Sequence, residues 1–382
     1  MGKIIFAGLY NEENFGDPII AKCTEAIYRK THYDKFEAFH LDISCVEHAY
    51  FASKTFRLQR KLKHLLGSEI NQTQYKEKVL KLSYHYFDKI CKDATSVIFV
   101  GGGLIKFMQQ WVGIEMATLI QAANKHTIPV YLCSVGTEGY DETNKDCQYI
   151  KQSLSLPCVK YISTRDDFHT LKELYFKGKP LIPCEKVADP AVWASEVYEI
   201  NKNPDSEFIG LGVARRGIFR EYGKGIDDES IINLYKDIIR KLIALGEKVK
   251  IFTNGLPGDN LVAQELYNNN WGGHIELAIP KTPKELINII SNLKAVIATR
   301  LHACIISYSL NIPVVGLVWN DKLKFFGENI GRPDNFITIN NLSSEYIINQ
   351  LQKATSEGYD KESRDKFRAT IVNSIASFDK HS

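Results

Sequence analysis

Residues 295–318 read AVIATRLHACIISYSLNIPVVGLV. The opening Ala-Val-Ile-Ala is short, apolar and uncharged, as a fully buried strand is. An apolar run over 302–309 then has the length of a buried helix, and 313–318 returns to Pro-Val-Val-Gly-Leu-Val, again a buried strand. Strand, helix and strand in so short a span make a βαβ unit, whose crossover sets its two strands parallel. Outward from it the alternation continues in both directions. Toward the N-terminus come a helix at 282–291, entered through Thr282-Pro283, a strand at 248–253, an amphipathic helix at 229–245 and a strand at 208–214. Earlier still, strands are expected at 3–10, 36–42, 96–100, 129–135 and 159–163. Helices are expected at 18–30, 53–66, 73–92, 111–125, 145–153 and 167–176. Such alternation is the pattern of parallel sheets covered by helices.

At 382 residues the chain exceeds the size at which one core stops growing, so two domains are expected. The polar stretch 196–206 reads as a linker. We therefore expect an α/β chain with domains at 1–200 and 205–335, and a helical tail at 336–382. Hydrophobic residues make up 44% and charged residues 24%, a globular balance that excludes long disorder. The net charge is +3, with 48 basic against 45 acidic residues. No nucleic-acid partner is expected from that balance, and an anionic ligand must be met by a local basic group. The eight cysteines are scattered without a CxxC pair and read as reduced core thiols of a cytoplasmic protein. No apolar run reaches membrane-spanning length. The basic run Lys54, Arg57, Arg60, Lys61 and Lys63 offers either a solvated helix face or peripheral contact with anionic lipid at the inner face of the membrane.

Several signatures fail. Gly217 to Lys224 has the wrong spacing and the wrong following residue for a phosphate-cradling P-loop. Gly210-Leu211-Gly212 lacks the third glycine of a dinucleotide fingerprint. There is no HExxH, no metal-ligand cysteine spacing and no GxSxG, so no metal site is expected.

What remains is Arg300 and His302, at the end of one strand and the start of an apolar helix. Ligands of doubly wound sheets bind outside the carboxyl ends of the strands. Arginine suits bidentate capture of carboxylate or phosphate, and histidine suits proton transfer near neutrality. The competing roles are an arginine paired to a neighbouring carboxylate and a histidine that caps the helix. A second candidate is the turn Asn14-Phe15-Gly16-Asp17 before Pro18, with Asp17 as the expected N-cap and Gly16 permitting close approach. A third is Gly101-Gly102-Gly103 after the strand at 96–100. Arg165, Arg215 with Arg216, and Lys322 with Lys324 are further basic groups at strand ends, each also readable as surface charge.

In this order the segments resemble the polysaccharide pyruvyl transferase family. The resemblance rests on Asn14-Phe15-Gly16-Asp17, on Val100-Gly101-Gly102-Gly103 and on Ser163-Thr164-Arg165-Asp166. It continues in Arg300-Leu301-His302-Ala303, which leads through Asn311-Ile312-Pro313-Val314-Val315 to Asn320-Asp321-Lys322-Leu323. It covers about residues 3–331, and the Arg-Leu-His block is its most specific part. The segments Leu104-Ile105-Lys106-Phe107 and Leu317-Val318-Trp319 depart from the commoner pattern.

The resemblance implies a GT-B-like fold, two Rossmann-like doubly wound parallel-sheet domains facing a cleft. It also implies transfer of a pyruvyl group from phosphoenolpyruvate to a sugar as a ketal, in cell-surface or exopolysaccharide synthesis. By motif, Arg300 binds the donor, His302 is the general acid and Arg165 is a second donor contact. Arg215 and Lys322 join the donor side, because phosphoenolpyruvate carries a carboxylate and a phosphate. The turns at Asn14, Gly16 and Asp17 and at Gly101, Gly102 and Gly103 fall to the acceptor side, where a sugar or lipid-linked oligosaccharide is expected. No cofactor is implied beyond phosphoenolpyruvate as donor substrate, and nothing specifies an oligomer. The rival activities are a GT-B glycosyltransferase using a nucleotide sugar and a non-catalytic sugar-binding member of the fold.

Overall fold

The computed structural model describes residues 2–10, 14–32, 35–54, 72–108, 111–177, 182–269 and 271–381. Arg57, Arg60, Lys61 and Lys63, the greater part of the basic run, lie outside them. Among the described residues no helix is long and apolar enough to cross a membrane. The chain forms two units. The first holds residues 1–11, 28–187 and 374–382, and the second holds 12–27 and 188–373.

The first unit is built on β1 (Gly2–Gly8), β2 (Phe36–Asp42), β3 (Ala94–Val100), the short β4 (Ile105–Lys106), β5 (Val130–Val135), the short β6 (Thr137–Glu138), β7 (Val159–Thr164) and β8 (Cys184–Lys186). Its main sheet runs β2-β1-β3-β5-β7-β8, every pairing parallel, while β4 pairs with β6. Ile5, Phe99, Leu132 and Ile162 from the strands are fully buried in one core with Met116, Leu119 and Ile120 of the helix Val112–Lys125. Burial on both faces of the strands is why they read as continuous apolar runs.

The second unit carries β9 (Phe208–Gly212), β10 (Lys248–Phe252), β11 (Ile275–Ala278), β12 (Ala295–Ala298), β13 (Val314–Leu317) and β14 (Phe336–Ile337), ordered β11-β10-β9-β12-β13-β14 and parallel in every pairing. The order reverses between β9 and β12, the position at which open α/β sheets bind ligands. The βαβ unit of residues 295–318 is present, with Leu301–Ser309 as a helix buried nearly throughout. Gly210 and Gly212 lie inside β9, where a Cβ would come within 2.4 Å of Leu293 and 2.8 Å of Phe252 respectively. They serve strand packing, not a phosphate turn.

The division falls at residues 187 and 188, ahead of the polar stretch 196–206 that the sequence marks as a linker. The reason is local bonding. The Trp193 indole N–H donates to Arg368 O at 3.0 Å, Arg368 Nε donates to Val192 O at 3.0 Å, and Ser195 N–H donates to Ser309 Oγ at 2.9 Å. These bonds tie 190–197 into the second unit. The tail does not form a separate body either. Helix Ser344–Glu357 packs on helix Asp228–Ala244 and on β13, and Arg364 donates to Tyr308 O at 3.1 Å. The last residues return to the first unit, where Phe378 stacks on Tyr131 with centroids 4.6 Å apart. Helix Pro257–Tyr267 and strand β11 were not expected from sequence. The helix opens on Pro-Gly-Asp-Asn, a breaker-rich start, and β11 is a half-exposed edge with a weak apolar signal.

Candidate functional site

In the second unit, Phe252, Gly212 and Ala298 stand side by side in register on β10, β9 and β12. The chain therefore leaves three adjacent strands at one level, and Asn254, Ala214 and Arg300 each lie two residues beyond. Arg300 is the N-cap position of helix Leu301–Ser309 and makes no side-chain cap bond. Its guanidinium is instead turned onto Asp259, with Nε donating to Oδ2 at 2.8 Å and Nη2 to Oδ1 at 2.6 Å. Asp259 is fully buried and also accepts the amide N–H of Arg215 at 2.8 Å.

The neutralised pair is enclosed by aromatic and hydroxyl groups. The Arg300 guanidinium carbon lies 5.9 Å from the Trp319 ring centroid, the outer reach of a cation–π contact. Trp319 donates its indole N–H to Thr299 O at 2.6 Å and meets Tyr222 edge-on at 4.6 Å. Tyr235 hydroxyl pairs with Thr299 Oγ1 at 2.7 Å, and burial pushes the Tyr235 phenol up to about 12. Trp319, one of the residues departing from the commoner pattern, thus helps hold the strand end that carries Arg300.

Arg300 thus has a buried carboxylate partner, Asp259. Its Nη1 and the outer hydrogen of Nη2 are not used on Asp259, so the pair can present a fixed donor edge. His302 does not cap the helix; it lies within the first turn, buried at 7% exposure. Its Nε2 stands 3.9 Å from Asp189 Oδ2. Asp189 is pinned by its other oxygen, which accepts the Ala191 amide at 2.8 Å as the cap of the turn Pro190–Trp193.

Asn14, Gly16 and Asp17 were expected on the acceptor side, across the cleft from His302. They group instead with the unit that carries His302. The cause is direct packing: a Cβ at position 16 would lie 1.9 Å from His302 Nδ1 and 2.3 Å from Cγ, so the imidazole rests on a bare α-carbon. Phe15 N–H donates to Asn254 O at 3.1 Å. The helix starts at Gly16, so Asp17 sits in its first turn and is not its N-cap. There Asp17 accepts from Asn14 Nδ2 at 3.1 Å and places negative charge where the helix dipole favours it.

The other candidates fall as follows. Arg215 gives its guanidinium to Glu221, with Nη1 at 2.7 Å from Oε1 and a second bond from Nη2 to Oε2; what it lends the site is its backbone. Lys322 lies in the first turn of helix Asp321–Asn329, capped by Asn320. Gly101, Gly102 and Gly103 and Arg165 belong to the first unit, at the ends of β3 and β7. Gly101 and Gly102 have φ of 53° and 75°, open to glycine without penalty. Gly102 O accepts the Gly136 amide at 2.6 Å. Arg165 is buried beside Asp166, whose Oδ1 accepts the Thr137 amide at 2.8 Å. Among the described residues no three His, Cys, Asp or Glu side chains converge as metal ligands do.

A family model described as polysaccharide pyruvyl transferase matches residues 14–321. The chain belongs to that family. It is a family of transferases, and the match begins at Asn14 and stops one residue short of Lys322. No curated protein sequence matches the chain. Among solved structures, UDP-GlcNAc 2-epimerase from Methanocaldococcus jannaschii is similar at 12% identity and TM-score 0.61, over 100% of both chains. The S. aureus MnaA–UDP co-structure is similar at 13% identity and TM-score 0.59, over 100% of this chain and 98% of that one. The UDP-GlcNAc 2-epimerase from Neisseria meningitidis bound to UDP-GlcNAc is similar at 12% identity and TM-score 0.57, over 100% and 99%. At these identities the likeness is one of fold, and the fold is GT-B-like. In this pyruvyl transferase family member, Asp189, Asn254 and Asp259 escaped the sequence reading. Asp189 alone left a trace, as an Asp before a proline that opens a helical turn.

Proposed function

We propose that the chain transfers the pyruvyl group of phosphoenolpyruvate to two hydroxyls of a sugar or lipid-linked oligosaccharide, closing a cyclic ketal. The observation that carries this reading is the pair Arg300 and His302 at one strand end, within the span that matches the family. One offers a fixed cationic donor edge and the other an imidazole facing a carboxylate.

In this scheme Arg300 holds an anionic oxygen of the donor, its plane fixed by Asp259. Protonated His302 gives its proton to the donor's methylene carbon, which becomes the methyl group as the double-bond electrons form the C–H bond. The adjacent carbon, now cationic, takes a sugar hydroxyl, which loses its proton. Phosphate then departs with the electrons of its C–O bond, and a second hydroxyl of the same sugar forms its own C–O bond at the carbon so vacated and gives up its proton to the departing phosphate. Neutral His302 recovers its proton before the next cycle. The scheme requires no metal and no resident cofactor.

The test is mass spectrometry of sugar acceptors incubated with the protein and phosphoenolpyruvate. The expected result is an acid-labile product carrying one pyruvyl ketal, with equimolar phosphate released. A parallel thermal-shift series compares phosphoenolpyruvate with nucleotide sugars, since a ligand that binds only the folded state raises its melting temperature. Stabilisation by a nucleotide sugar alone, with no ketal formed, would overturn the reading in favour of glycosyl transfer.

A further inference from the structure

Asn254 stands out among the polar residues of the second unit. It is 1% exposed, and neither Oδ1 nor Nδ2 has a hydrogen-bond partner among the described residues. A buried carboxamide with both ends unsatisfied is costly and calls for an explanation. The loop around it does not need this side chain. Thr253 Oγ1 donates to Asn260 Oδ1 at 2.6 Å, Asn260 Nδ2 donates to Gly255 O at 3.2 Å, and Gly255 N–H donates to Thr253 Oγ1 at 3.3 Å. The turn closes on its own bonds, and Asn254 contributes only its carbonyl, which takes the Phe15 N–H.

Its place is equally specific. Asn254 leaves β10 at the level where Arg300 leaves β12, with β9 between them. Phe15, bonded to its carbonyl, precedes Gly16, on which the His302 ring rests. Asn254 therefore belongs to the same strand-end group as the donor clamp and the imidazole. A carboxamide joins one donor to one acceptor, so its complement is a ligand presenting both.

We propose that Asn254 is a further ligand-binding residue of this site. Its Nδ2 donates to a carboxylate or phosphate oxygen of the small anionic donor, and its Oδ1 accepts from a substrate hydroxyl. This rests on the function proposed above and deepens it: Asn254 would bring the electrophile and the attacking hydroxyl into one register.

The test uses Asn254→Leu, with Asn254→Ala as a second variant that adds no bulk, in the full chain. A ligand-binding role predicts a trade: each unliganded variant melts at or above the wild type, because an unsatisfied polar group is gone, while phosphoenolpyruvate binds roughly 10-fold or more weakly in calorimetry, as loss of a hydrogen bond to a charged group implies. Both unliganded variants melting well below wild type would overturn the proposal and make Asn254 structural. Unchanged phosphoenolpyruvate affinity in a folded variant would overturn it too. If wild type itself ignores phosphoenolpyruvate, the proposed function fails separately. Nucleotide-sugar thermal shifts then decide Asn254: a shift lost in the variants upholds its role, and an equal shift overturns it.

Discussion

Asp259 holds Arg300 through both carboxylate oxygens, at 2.8 and 2.6 Å, while its Oδ1 also takes the Arg215 amide. One fully buried carboxylate thus ties the ends of β9 and β12 together. Breaking such a pair from one side leaves an uncompensated charge, which costs about 3–5 kcal/mol. We expect Asp259→Ala to lose stability of that order in urea unfolding. Arg300→Lys keeps the charge but not the planar fork. It should therefore weaken phosphoenolpyruvate binding about 10-fold, a loss of one charged hydrogen bond. A Lys variant with wild-type affinity would leave Arg300 purely structural.

Gly16 and His302 give a prediction whose sign runs against helix propensity. Alanine in place of glycine within a helix normally stabilises by up to about 1 kcal/mol. Here the added Cβ would sit 1.9 Å from His302 Nδ1, so the imidazole or the helix start must move. Gly16→Ala should lose the ~1–3 kcal/mol of stability typical of overpacking, seen as a lower melting temperature. It should also cut kcat, with phosphoenolpyruvate affinity less affected. A more stable, fully active variant would show that the ring does not rest where the structure has it.

These two pairs also mark what a sequence can and cannot display. The repeating apolar strands, the βαβ unit at 295–318 and the Arg-Leu-His block are local patterns, and strand ends in a parallel sheet point to themselves. Asp259 and Arg300 are 41 residues apart, and nothing in Pro257-Gly258-Asp259 distinguishes a buried ion pair from an ordinary helix start. Gly16 was legible as a turn but not as the floor under His302, because the crossing of 12–27 into the second unit depends on packing. The polar stretch 196–206 imitated a linker for a similar reason: Trp193 and Arg368, which anchor the segment just before it, meet only in the folded chain.

Asp189 and His302 should separate catalysis from positioning. Removing a positioned general acid typically costs 100-fold or more, so His302→Ala should lose about that factor in kcat while retaining donor binding. Asp189→Asn keeps the cap to Ala191 but not the negative charge 3.9 Å from Nε2. We expect a smaller fall in kcat, roughly 10-fold, with KM for phosphoenolpyruvate unchanged. A rise in KM at constant kcat would assign Asp189 to ligand binding instead.

Glu115 offers a pH-dependent stability that is independent of the site. It is fully buried in helix Val112–Lys125, where Ser83 Oγ donates to Oε1 at 2.9 Å and Oε2 has no partner among the described residues. Burial pushes its carboxyl up to about 8, against the pull of the Ser83 hydrogen bond and with a further push from the charge of Glu47. The unfolded chain releases this proton near pH 4.3, as an ordinary glutamate does. Between the two values the folded state holds a proton that the unfolded state has lost, so stability must fall as pH rises. The slope from this one group is at most about 1.4 kcal/mol per pH unit, and it vanishes above about pH 8. Glu115→Gln imitates the neutral acid and still accepts from Ser83. It should be near wild type in stability at pH 5, clearly more stable at pH 8, and flatter between them in urea unfolding. If the variant kept the wild-type slope, the pH dependence would have to come from another group, and Glu115 would be ionised in its pocket despite the missing partner.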